Sequence, residues 1–120
     1  GSRRADALTL WTLMQVIGTR ALARQIDDAL ALTQAFYARL AERSDTVPAH
    51  QPELNLQCFS LADVSTEEAI IARHRRMTVN GAGWFSVSRW RDRLYFRAVL
   101  LSPATTIGQL DELVSFLADA

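Results

Sequence analysis

The sequence predicts a two-layer α+β domain in the order ααβαββα, a small antiparallel sheet of about three strands with helices packed on one face. Three observations predict it. Apolar residues recur at three- and four-residue spacing from Thr19 to Arg43, which marks a long amphipathic helix. Two capping-box pairs, Ser65 with Glu68 and Thr106 with Gln109, each stand before a helical apolar stripe. Between them two alternating segments flank the short polar pair Arg91 and Asp92, the signature of a hairpin.

The elements follow in chain order. Asp6 is placed to cap a first helix from Ala7 to Ile17, ended by Gly18. Leu8, Leu10, Trp11, Leu13, Met14, Val16 and Ile17 wrap most of its circumference, so it needs cover on more than one side. In the second helix Leu22, Ile26, Ala29, Leu30, Thr33, Phe36, Tyr37 and Leu40 form the stripe, with Arg20, Arg24, Asp27 and Asp28 off it. Ser44 to Pro52, with two prolines and His50, reads as a loop, and Leu54 to Phe59 as a strand. A third helix runs to about Val79 and stops at Asn80, Gly81 and Gly83. Strands of about Trp84 to Trp90 and Arg93 to Leu101 follow, then a last helix with Leu110, Leu113, Val114 and Leu117 as its buried stripe.

Composition sets the class. The 120 residues are 49% hydrophobic and 22% charged, which fits a single domain, 1–120, with a modest core. Thirteen basic and thirteen acidic residues cancel, which removes the electrostatic footprint of a nucleic-acid or anionic-membrane binder. No apolar run approaches the ~20 residues that span a bilayer. The one cysteine, Cys58, has no partner for an internal disulfide and sits in the apolar LNLQCF segment, so a buried thiol in a reducing, cytoplasmic setting is expected. All thirteen basic residues are arginine; with no lysine, Schiff-base chemistry cannot originate in this chain.

Few residues carry recognisable chemistry. Arg73, His74, Arg75 and Arg76 make either a phosphate patch or a solvated helix face, and the helical angles between them favour the second. His50 and His74 have no Cys, His or carboxylate at zinc-site spacing, so no metal is expected. Ser86 and Ser88 alternate with Phe85 and Val87; without a neighbouring base they read as strand patterning, and Trp84 and Trp90 on the same face as packing. Arg97 stands apart. It lies mid-strand with Tyr95, Val99 and Leu101 on its face and Phe96, Ala98 and Leu100 on the other. An unpaired guanidinium there costs several kcal/mol, and its planar fork suits a carboxylate or phosphate. A carboxylate of the chain such as Glu53 or Asp111, or a ligand, would meet that need.

Three segments, SRRADALTLW (Ser2 to Trp11), PELNLQCF (Pro52 to Phe59) and FRAVLLSPATT (Phe96 to Thr106), resemble in order and separation the C-terminal part of group II pyridoxal-phosphate-dependent amino-acid decarboxylases. The resemblance covers nearly the whole chain and departs from the family at Thr9, where Lys is usual, and at Ser102, where Asn is usual. It implies fold type I of the aspartate aminotransferase superfamily, with residues 1–17 an inter-domain helix and 19–120 the α+β body of the small domain. It also implies pyridoxal 5'-phosphate bound by a large domain of the same polypeptide, an amino-acid substrate and a homodimer.

The resemblance gives Arg97 a substrate-binding role, orienting the substrate carboxylate. The cofactor-holding residues and the catalytic lysine would lie in the large domain, with none in this chain. The chain alone is then expected to be inactive, one wall of a decarboxylase active site, with Arg97 exposed to solvent or paired with a substitute anion. The reading from a different class is a free-standing α+β ligand-binding or regulatory module that acts as a homodimer.

Overall fold

The computed structural model describes residues 4–119. Gly1, Ser2 and Arg3, with the start of the first motif, and Ala120 lie outside the described residues.

Helix α1 (Asp6–Ile17) starts at Ala5, whose backbone holds the cap position without any side-chain bond. Asp6 is therefore not the cap. It is already helical, in the first turn, where its carboxylate faces the positive end of the helix dipole and lies 3.6 Å from Arg4. No residue of α1 is buried: Leu8 is 60%, Trp11 59% and Val16 76% exposed, although its apolar residues go most of the way round. Gly18, at φ +79°, closes α1 by donating its N–H to the Met14 carbonyl and opens α2 (Thr19–Glu42), a reversal that a residue with a side chain makes only under strain.

Only the second half of the α2 stripe is covered. Thr33, Phe36 and Leu40 are buried, whereas Ile26 is exposed.

The sheet has four strands, β1 (Thr46–Pro48), β2 (Leu56–Leu61), β3 (Ser86–Trp90) and β4 (Arg93–Val99), antiparallel throughout and in the order β1-β2-β4-β3. The sequence predicted about three strands and left Ser44 to Pro52 as a loop. β1 lies inside that segment. It is a three-residue edge strand ending in Pro48, and it exists because Val47 pairs with Ser60 and Thr46 with Leu61 across β2. Proline is tolerated at an edge, where a missing N–H leaves no ladder bond unmade.

Helices α3 (Glu67–Val79) and α4 (Ile107–Ala118) complete the chain. The box at α3 sits one residue later than predicted: Thr66, not Ser65, is the cap, and its side chain accepts from the Ala69 N–H, so Glu68 does not close a box. At α4 the predicted box is present with both bonds, Gln109 N–H to Thr106 Oγ1 and Thr106 N–H to Gln109 Oε1.

Helices α2, α3 and α4 pack on one face of the sheet and enclose the core with it. Phe59 from β2 is at its centre, with ring centroids 5.9 Å from Phe36, 5.5 Å from Phe85 and 5.6 Å from Phe96. Leu40, Met77, Val114 and Leu117 fill the space around these rings.

The hairpin between β3 and β4 turns at Arg91 and Asp92, both left-handed at φ 46° and 60°. That is the two-residue turn whose twist matches paired strands, and arginine is a poor residue for it. Replacing the pair by Asn-Gly is expected to raise stability by about 1 kcal/mol. Urea unfolding monitored by tryptophan fluorescence measures it, and an unchanged or lower midpoint would contradict the turn geometry.

Candidate functional site

Register decides which residues meet on the helix-free face of the sheet. Pairing of Trp90 with Arg93 across the turn brings Ser86 opposite Arg97, and on the other side of β4 Arg97 lies opposite Cys58. Phe96 and Ala98 therefore point into the core, and Arg97, with Tyr95 and Val99, points away from it.

The Arg97 side chain is half-buried, and its Nε donates to Ser86 Oγ at 3.0 Å. Ser86 Oγ in turn donates to the Arg97 carbonyl at 3.2 Å, which ties both ends of the residue to one hydroxyl. Among the described residues neither Nη atom has a hydrogen-bond partner and no carboxylate lies within salt-bridge distance. Asp111, one of the two internal partners the sequence offered, pairs with Arg39 instead at 3.6 Å, and Glu53 has no ion pair with Arg97.

The surroundings are neutral and partly apolar. A cavity of about 250 Å³ lies where this end of the β3–β4 pair meets α4, lined by Trp84, Phe85, Ser86, Arg97, Leu110 and Leu113, so it opens toward the helix layer and not onto the helix-free face. Trp84, expected as packing, is 66% exposed at the mouth of this region. Trp90 is also exposed, at 41%, with its ring 6.1 Å from Tyr95 and 6.4 Å from His50. The His50 Nε2 accepts the Cys58 N–H at 3.2 Å, pinning the loop after β1 to β2. Burial pushes the Cys58 thiol above its ordinary value, against a smaller lowering by the Arg97 charge.

The arginine run of α3 does something the sequence did not show. Arg73 Nη1 donates to the carbonyls of Leu117, Ala118 and Asp119 while Nη2 meets Asp63 at 2.7 Å, and Arg76 reaches Phe116 and Asp119. Two cations thus close the carboxyl end of α4, whose last carbonyls have no helical partner. These arginines form neither a phosphate patch nor a freely solvated face. Replacing Arg73 by Met is expected to cost about 2 kcal/mol of stability, since charged hydrogen bonds and a largely buried guanidinium go together. Thermal unfolding measures this, and a Tm equal to that of the parent chain would contradict the capping role.

Among the described residues no three His, Cys, Asp or Glu side chains gather as metal ligands, and no helix is long and apolar enough to cross a membrane. Ser86 is the site residue that sequence reasoning missed. The signal was present: counting outward from a two-residue turn at Arg91 and Asp92 puts Ser86 across from Arg97.

A helix-covered antiparallel sheet, whose open face carries an arginine without a carboxylate partner among the described residues, makes this an α+β domain. No family model matches the chain. The acidic amino acid decarboxylase GADL1 of Xenopus tropicalis is 36% identical to it over 92% of this chain and 24% of that protein. The glutamate decarboxylase domain of the diaminobutyrate-pyruvate transaminase and L-2,4-diaminobutyrate decarboxylase from Vibrio parahaemolyticus superposes with a TM-score of 0.85 at 20% identity, over 97% of this chain and 26% of that one. Oryza sativa TDC, with PLP and tryptamine, superposes at 0.80 and 19% identity, over 96% of this chain and 26% of its own. In sequence and fold the chain corresponds to the C-terminal domain of group II pyridoxal-phosphate-dependent decarboxylases. It spans about a quarter of the length of these relatives.

Proposed function

We propose that this chain is the C-terminal domain of a pyridoxal-phosphate-dependent amino-acid decarboxylase, forms one wall of its active site, and orients the substrate carboxylate through Arg97. The observation that carries the reading is the Arg97 guanidinium on the helix-free face, held by Ser86 and without a carboxylate partner among the described residues. The kinship with decarboxylases supplies the reaction class.

The chain has no lysine, so its residues do not provide the amine to which pyridoxal phosphate is linked. A large domain of the same polypeptide would hold the cofactor, whose chemistry is to accept the electron pair of the bond that breaks when the carboxylate leaves. The part of Arg97 is geometric. Two parallel N–H bonds to a carboxylate fix its plane as well as its position, and that selects the bond to be broken. Binding that is equally strong before and during the reaction would lower KM without raising kcat, so the orienting contribution is the one that matters for rate.

The exposed apolar surface of α1 fits an inter-domain helix covered by the large domain or by a second subunit of a homodimer. The lone buried thiol suits a reducing, cytoplasmic compartment. The test is decarboxylation by the cofactor-loaded full-length polypeptide, assayed with acidic, diamino and aromatic amino acids. Carbon dioxide release from at least one class is expected; none from any of them would overturn the reading.

A further inference from the structure

We infer that Ser86 is a positioning residue that commits Arg97 to end-on recognition of a planar carboxylate. A guanidinium can grip a carboxylate in two bidentate ways, side-on through Nε and one Nη, or end-on through both Nη atoms. Ser86 Oγ takes the Nε hydrogen at 3.0 Å, and its own proton goes to the Arg97 carbonyl at 3.2 Å. The hydroxyl is thereby directed with a lone pair toward Nε, and the side-on approach is blocked.

What remains for a ligand is the end-on fork. Both Nη atoms are without partners among the described residues, and the residues that neighbour Arg97 on that face by register, Tyr95, Val99 and Cys58, are neutral. The arrangement also reduces the rotamers open to a long side chain before the ligand arrives, so less entropy is lost on binding. A threonine at position 86 keeps this hydroxyl; an alanine releases the guanidinium to rotate.

The identity of the carboxylate as that of an amino-acid substrate rests on the decarboxylase reading, but the fork does not, and it is tested on the chain itself with acetate. In arginine-labelled protein, acetate is expected to shift the Arg97 Nη signals and leave Nε unmoved. Ser86→Ala is expected to shift the Nε signal, speed its hydrogen exchange and weaken acetate binding about tenfold. Ser86→Thr is expected to restore all three. An acetate-dependent movement of Nε, equal affinity in Ser86→Ala, or no response of Arg97 to acetate would each overturn the inference. Should Ser86→Ala lose its dispersed spectrum, Ser86→Thr and the Nε exchange rate of the parent chain decide, slow exchange supporting the bond and free exchange overturning it. An enzyme inactive on every amino acid, with the acetate result intact, would remove the decarboxylase reading and leave the fork standing.

Discussion

Arg97→Met is expected to lower kcat/KM for decarboxylation by about 10²- to 10³-fold in the cofactor-loaded full-length enzyme, because two charge-assisted hydrogen bonds contribute roughly 3 to 4 kcal/mol. Methionine keeps most of the side-chain length and its apolar contacts, so the loss isolates the charge and the fork. The fold should tolerate it: the only side-chain partner of Arg97 among the described residues is Ser86, and no ion pair is broken. Unfolding midpoints of the two proteins should therefore agree. The division between kinetic constants carries further information, since a rise in KM alone would mean uniform binding, and a fall in kcat would mean that orientation is lost. An unchanged kcat/KM would take Arg97 out of the mechanism.

Phe59→Ala is expected to remove 3 to 5 kcal/mol of stability, the range for a fully buried aromatic reduced to a methyl group. Phe59 is 0% exposed and its ring meets Phe36, Phe85 and Phe96 at centroid distances of 5.9, 5.5 and 5.6 Å. Those three rings come from α2, the approach to β3, and β4, so one cavity loosens the contact of helix layer with sheet in several directions. Domains of this size are stable by only about 5 to 15 kcal/mol, and the variant would lose about a fifth or more of that. Urea unfolding with fluorescence and circular dichroism measures the change. A shift below about 1 kcal/mol would mean that the core collapses around the missing ring.

The contrast between these two residues shows what the sequence made legible. Phe36 lies on a clear helical stripe, so its burial follows from period, whereas Phe59 shares its strand face with Asn55 and Gln57 and its burial is decided by the pairing of β2 with β4. The box at Thr106 and Gln109 was readable because both partners are within three residues of each other, and the Arg91-Asp92 turn for the same reason. Arg97 was legible as an anomaly, a charge in an apolar strand, and the resemblance to decarboxylases gave it an expected role. Ser86 looked like patterning because its partner is eleven residues away and only the register of the hairpin joins them.

The errors share one cause. β1 was missed because three residues ending in proline have no pattern of their own; its pairing with β2 creates it. Asp6 and Ser65 are chemically good caps, but the helices begin one residue away from where each would serve, and cap geometry depends on which residue keeps extended backbone angles. Arg73 and Arg76 looked like a surface run until the end of α4 was brought beside them.

From the sequence alone came the α+β class, three of the four helices to within a residue or two, the hairpin, the absence of any lysine to carry a cofactor, and the singularity of Arg97. These rest on local periodicity, turn chemistry and composition, which act over a few residues. Tertiary structure decided the fourth strand, the capping of α4 by α3, and the hold of Ser86 on Arg97. Each of those needs groups distant in the chain to come within about 3 Å, the range over which a hydrogen bond has strength and direction.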